Sequence, residues 1–126
     1  QLLGRPMLKL LRPPYGAYDS RVIRVAKSQG YRHIVLWNKS AADTSSAASV
    51  RSIIRHATGG RPGDIVLMHC GRDLTAQALP AIIRHYKRRG IRLIGLDEML
   101  GLVPPRPPKP WEVLVKETAK FGRPRH

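Results

Sequence analysis

Hydrophobic positions along the chain fall into two patterns: short unbroken runs and stripes spaced three and four apart. The runs read as buried strands and the stripes as helices packed on one side. Met7-Leu8-Lys9-Leu10-Leu11 is the first run. A helix over residues 20–29 follows, with Asp19 or Ser20 as its cap, Val22, Ile23 and Ala26 as its apolar stripe, and Gly30 as its stop. Tyr31–Trp37 is the second strand, and Asn38–Ser45 is small and polar, a loop. Ser45 or Ser46 caps the next helix, which places Ala47, Val50, Ile53, Ile54 and Ala57 on one side and ends at Gly59-Gly60. Arg61-Pro62-Gly63-Asp64 is a turn.

Ile65–Met68 is wholly apolar, as a central parallel strand covered on both faces should be, and it delivers His69 to its end. Leu74–Arg89 reads as a helix with Leu79, Ile82, Ile83 and Tyr86 inward and Pro80 in its first turn, where no N–H donor is needed. Ile91–Leu96 is the last strand, and Asp97 caps a short helix through Leu100. Strands alternating with helices predict an α/β fold with parallel strands. Such a sheet of four strands leaves two unpaired edges, which need covering by other structure or by another chain. Pro104–Pro110 carries five prolines in seven residues and is a stiff linker. Trp111–Phe121 is weakly amphipathic, and Gly122–His126 is a frayed end.

Charge changes the picture of partners. The chain has 126 residues, enough for one domain or a piece of one, and a net charge of +15. The excess is +8 in residues 1–60 and +7 in residues 61–126, so no single basic arm holds it. Such a field attracts polyanions, and an anionic cell-wall polymer is one. Aromatics make up 6% of the chain and are not interleaved with the basic residues as in single-strand binders, so no specific nucleic-acid recognition is expected. No apolar run approaches membrane-spanning length, so no membrane insertion is expected, and no signal peptide is visible at Gln1. The single cysteine, Cys70, rules out an intrachain disulfide; beside His69 it reads as a small buried thiol on the opposite face of the strand.

The densest candidate chemistry lies at strand ends. Leu11-Arg12-Pro13-Pro14-Tyr15-Gly16 follows a strand with two fixed φ angles and a permissive exit. A stiff loop of this kind holds an arginine, a tyrosine ring and a free backbone N–H in place, at the strand end where open α/β sheets and barrels bind ligands. His33, His56 and His85 have no partner in view and read as surface or packing residues. Lys87-Arg88-Arg89 reads as a solvated helix end that complements the dipole. Asp64, His69 and Asp73 are near one another in sequence. A catalytic zinc site nonetheless needs three convergent ligands and a water, which chance neighbours rarely make.

Arg12-Pro13-Pro14-Tyr15-Gly16, Trp37 with Asp43, and Leu67-Met68-His69 resemble, in order and spacing, the third, fourth and fifth motifs of the polysaccharide deacetylase family. Its catalytic module is the NodB homology domain (carbohydrate esterase family 4). The segment from Ala78 to Leu100 also looks like that family's closing helix, strand and short helix. The likeness implies a partial distorted (β/α) barrel: residues 1–103 as the C-terminal half of the domain and 104–126 as a Pro-rich basic tail. It implies metal-dependent removal of acetyl groups from chitin-like sugars, peptidoglycan or hemicellulose, and a secreted or cell-surface protein. Carried over, Arg12 would hold the catalytic base, the Tyr15 N–H would help bind the oxyanion and Asp43 would tune His69. Leu67 would line the acetyl pocket, Trp37 would be core or groove wall, and His69 would protonate the leaving amine.

The departures are equally specific. The family's Thr-Phe-Asp-Asp type first motif and His-x-x-x-His type second motif, which supply the base and the metal ligands, have no counterpart here. A divalent metal, expected to be zinc, would then belong to the complete domain, with no ligands in this chain. Thr44 stands where a tryptophan usually follows the aspartate, which weakens one groove wall. The chain reads as the half of a deacetylase that supplies the general acid, paired with a missing N-terminal half or with itself. The alternative is a non-catalytic half-domain serving as an interaction module or a basic polyanion-binding protein.

Overall fold

The computed structural model describes residues 7–107. The chain forms two compact units, Gln1–Trp37 and Asn38–His126. The expectations for residues 111–126, and for the last three residues of the proline run, lie outside the described residues.

The first unit is a strand–helix–strand element. β1 (Leu10–Leu11) pairs in parallel with β2 (His33–Ile34), Leu10 opposite His33 and Leu11 opposite Ile34. α1 (Ser20–Ser28) connects them. Its N-cap is Asp19, whose Oδ1 accepts the Val22 N–H at 2.8 Å. Its end is set by Gly30 at φ +81°, which lets the Tyr31 N–H return to the Ala26 carbonyl at 2.9 Å. The apolar stripe of α1 differs from expectation. Ala26 is buried, but Ile23 is exposed, and Val22, Val25 and Ala26 line an open apolar hollow of about 360 Å³ with Leu11 and Tyr31.

The second unit holds the core. β3 (Lys39–Ser40) pairs in parallel with β4 (Val66–Leu67). α2 (Val50–Ala57) and α3 (Asp73–Arg88) pack together through Ile53, Ala57, Ala78, Ile82 and Tyr86, with Ala41 beneath them. The Tyr86 hydroxyl locks the two helix ends: it donates to the Ala57 carbonyl and accepts the Gly60 N–H at 3.2 Å. A Cβ at Gly60 would sit 2.5 Å from that hydroxyl, so only glycine fits.

Four details of this unit correct the expectations. β3 lies in a stretch that reads as loop, because Lys39 and Ser40 are polar; its pairing comes from backbone groups, not from buried side chains. The N-cap of α2 is Ser49, not Ser45 or Ser46: Ser49 and Ser52 satisfy each other's backbone N–H groups in a capping box, and Ala48 instead of Ala47 packs on the core. Pro80 is inside α3, not in its first turn, because the helix begins at Asp73; Leu79 is consequently exposed and Ala78 takes the buried position. Residues 91–95 pair with no strand among the described residues, and Leu93 and Ile94 are exposed. The short helix α4 (Leu96–Met99) therefore starts at Leu96 with Gly95 as N-cap, and Asp97 lies in its first turn. The described strands thus form two parallel ladders, not one sheet of four.

Candidate functional site

β3 and β4 run in parallel, so both finish at the same end of the second unit. The chain leaves β3 through Ala41-Ala42-Asp43 and leaves β4 through Met68-His69. Ala42 adopts φ +53°, a left-handed conformation unusual for a residue with a Cβ, and its N–H is held by Ser40 Oγ at 3.1 Å. That turn directs Asp43 inward, where the residue is 1% exposed.

Asp43 is the hub. Its Oδ1 accepts His69 Nδ1–H at 2.9 Å. Its Oδ2 accepts the His69 backbone N–H at 2.7 Å and the Thr75 hydroxyl at 2.9 Å. Its backbone carbonyl accepts Arg72 Nη2 at 3.0 Å. Burial acts to raise the Asp43 pKa, but the bonds from the His69 ring, the His69 amide and the Thr75 hydroxyl, together with the nearby imidazole charge, outweigh it. The carboxyl is held below the ordinary aspartate value.

An ionised carboxylate only accepts, so the shared proton sits on Nδ1 and the other ring nitrogen, Nε2, is left for a second partner. The His69 side chain is 35% exposed while Asp43 is buried. A fixed, partly accessible imidazole backed by a buried carboxylate is suited to giving or taking a proton at Nε2.

Sequence reasoning paired Asp43 with His69 and missed Thr75 and Arg72. Both lie in the link from β4 into the first turn of α3. The one available signal was a hydroxyl residue in the opening turn of a helix that follows a strand ending in histidine. Leu67, the expected pocket residue, is buried at the end of β4. Cys70 is exposed in the turn beyond the strand, not buried as expected, because the alternation of strand faces has already ended there.

The other expected site residues belong to the first unit. The Gly16 N–H donates to the Pro13 carbonyl at 3.1 Å, closing a turn in which Tyr15 takes φ +56° and ψ 9°. That is the third position of a type II turn, which glycine normally fills. The Tyr15 ring is fully exposed, and its N–H meets no acceptor among the described residues. Gly16, at φ +70°, lies against the Trp37 ring: a Cβ there would come 3.0 Å from Trp37 Cη2. Arg12 is exposed and has no ion-pair partner among the described residues.

Among the described residues, no three His, Cys, Asp or Glu side chains gather as metal ligands. Asp64 is engaged elsewhere, its carboxylate accepting Asn38 Nδ2 at 2.6 Å and the Arg61 N–H at 2.7 Å. The described residues do not fit the divalent metal that the family resemblance implies.

No family model matches the chain. Its sequence is 34% identical to the peptidoglycan-N-acetylglucosamine deacetylase of Bacillus cereus over 96 residues, 72% of this chain and 45% of that protein. It is 32% identical to the bifunctional xylanase/xylan deacetylase of Cellvibrio japonicus over 102 residues, 80% of this chain and 15% of that protein. A family 4 carbohydrate esterase from Streptomyces lividans, solved in complex with acetate, matches at TM-score 0.60 and 29% identity, covering 66% of this chain and 42% of that one. A deacetylase solved with substrate matches at TM-score 0.66 and 27% identity, covering 79% and 48%. The chain spans less than half the length of each of these relatives. With its motifs in the family's order and these relatives on both sequence and structure, the chain belongs to the polysaccharide deacetylase family.

Proposed function

We propose that this chain is the general-acid half of a polysaccharide deacetylase barrel. Residues 1–103 form that half of the domain and 104–126 a basic tail. The substrate is an acetylated glycan, and the bond cut is an acetamide or an acetyl ester. The observation that carries the reading is the Asp43–His69 pair, at 2.9 Å, beyond the finishing ends of two parallel strands. The names of the relatives, which act on peptidoglycan and xylan, support the substrate class.

In the proposed reaction, the imidazolium of His69 gives its Nε2 proton to the departing nitrogen or oxygen as the bond to the acetyl carbon breaks. Water supplies the hydroxyl that leaves with acetate. Asp43 keeps the ring in one tautomer and one orientation before transfer. Thr75 and Arg72 position Asp43. In the first unit, the free Tyr15 N–H is a donor for an oxyanion, Trp37 offers a ring to a sugar face, and Arg12 offers a guanidinium to a carboxylate base. Leu67 lines the acetyl pocket. Activation of the water, and the divalent metal that the family uses for it, belong to groups outside the described residues. A secreted or cell-surface setting follows from the same reading.

A chimera tests it: this chain in place of the matched segment of the Bacillus cereus deacetylase, assayed for acetate release from acetylated peptidoglycan. An active chimera whose rate falls about 10²–10⁴-fold in His69→Ala supports the reading. A folded chimera whose activity is indifferent to His69→Ala overturns it. The second reading, a non-catalytic interaction module, rests on the lack of converging metal ligands among the described residues, and it predicts a folded chimera that releases no acetate.

A further inference from the structure

The link from β4 into α3 closes around one residue. His69, Arg72 and Thr75 all bond Asp43: His69 through its amide and ring, Thr75 through its hydroxyl and Arg72 through its guanidinium. His69 and Thr75 hold the carboxylate. Arg72 holds the backbone carbonyl instead, at 3.0 Å. The chain swings at Gly71, φ +70°, before Arg72 takes the extended N-cap position of α3, and from there its side chain reaches back to Asp43.

That bond is the hold on the main chain at Asp43. Neither its N–H nor its carbonyl has a backbone partner among the described residues. The residue is buried, so water does not readily replace a lost partner of the carbonyl. Asp43 is the second residue of a turn closed by the Ser45 N–H on the Ala42 carbonyl at 3.2 Å, and Ala42 enters that turn in the left-handed region. A strained turn persists only while its surroundings hold it. The Arg72 side chain is exposed and has no ion-pair partner among the described residues, so no carboxylate draws it off the carbonyl.

We propose that Arg72 is a positioning residue for proton transfer: through the Asp43 main chain it fixes the direction in which His69 presents Nε2. Thr75 cannot take over this task. It bonds a carboxylate oxygen, and a carboxylate pinned at its tip still swings with its backbone. Without Arg72 the buried carbonyl is left unpaired, which is costly. The turn opens to satisfy it, and Asp43 and the ring it orients shift together. Arg72 therefore acts on the imidazole only through Asp43. The connection to a reaction rests on the proposed function; the hold on the main chain does not.

The test reads the His69 ring of this chain by proton NMR, separately from any assay of acetate release. The Nδ1–H bonded to Asp43 is expected as a low-field resonance protected from exchange with water. Arg72→Gln should speed that exchange about 10–100-fold, the equivalent of one lost charge-assisted bond. Arg72→Lys, which restores a charged donor, should recover most of the protection. Arg72→Met keeps the stem without the donor and supplies the reading if Arg72→Gln does not fold. Tyr86→Phe removes hydrogen bonds elsewhere in the same unit and should leave the resonance unchanged. Unchanged exchange in the Arg72 variants, or equal acceleration in Arg72→Gln and Tyr86→Phe, overturns the proposal. In an active chimera, Arg72→Gln should also lower kcat about tenfold or more with little change in KM, and an unchanged kcat overturns the proposal as well. A chimera that releases no acetate removes the deacetylase reading and leaves the NMR result to decide this one.

Discussion

The Thr75 hydroxyl donates to the same Asp43 oxygen, Oδ2, that receives the His69 backbone N–H. That leaves Oδ1 for the imidazole. The carboxylate is thereby held on one side by α3 and the strand end, and its free direction is fixed toward the ring. Thr75→Val keeps the shape and removes this donor. The expected loss is about 1.5–3 kcal/mol, the usual worth of a hydrogen bond to a charged group, measured by urea denaturation. The Asp43 pKa should also rise, because one of the bonds that lowers it is gone, and Thr75→Ser should restore both.

Asp43 titrates at a lower pH when folded than when unfolded. On acidification the unfolded chain therefore takes up this proton first. The stabilisation is complete above the ordinary aspartate value of about 4 and disappears as pH falls through the folded value. Asp43→Asn should flatten part of the acid limb of the stability curve and lower stability at neutral pH by about 3 kcal/mol, since it breaks a buried charged partnership. Asp64, whose pKa is also lowered, first by the Arg61 amide, keeps its own acid dependence in that variant. An unchanged acid limb in Asp43→Asn would contradict this assignment.

Tyr86→Phe deletes the group that serves both the Ala57 carbonyl and the Gly60 N–H. Gly60 and Tyr86 are buried, so water does not readily replace the hydroxyl. A loss of about 1–3 kcal/mol is expected, and amide exchange should quicken at the ends of both α2 and α3.

Ala42→Gly should stabilise the chain. Alanine in the left-handed region is disfavoured by about 1–2 kcal/mol. The greater freedom of glycine when unfolded offsets about 0.5–1 of this, so a net gain of about 0.5–1 kcal/mol is expected from thermal or chemical melts. A loss would mean that the Ala42 methyl, half-buried beside Asp43, contributes more through packing than the turn costs in strain.

The helices and the Asp43–His69 pair were readable in the sequence because both rest on local signals: apolar spacing and caps for the helices, short ordered motifs for the pair. What escaped depended on partners far along the chain. Lys39 and Ser40 carry no strand signature, and only the backbone of residues 65–67 makes them β3. Residues 91–95 carry the reverse: an apolar strand pattern with no partner strand among the described residues. Ser45, Ser46 and Ser49 are equal cap candidates by type, and Ser52 decides among them by closing the box with Ser49. Thr75 looked like an ordinary helix residue because its acceptor lies 32 positions away.

Pro80 gives α3 a division of labour. It has no N–H to offer the Ala76 carbonyl, so the backbone ladder is interrupted on an exposed side of the helix. The segment before it is anchored through Thr75 to the Asp43 hub, and the segment after it through Tyr86 to the end of α2. The helix is thus fixed at two separate places, one on each side of the missing backbone bond, and each half carries its own tie to the rest of the unit.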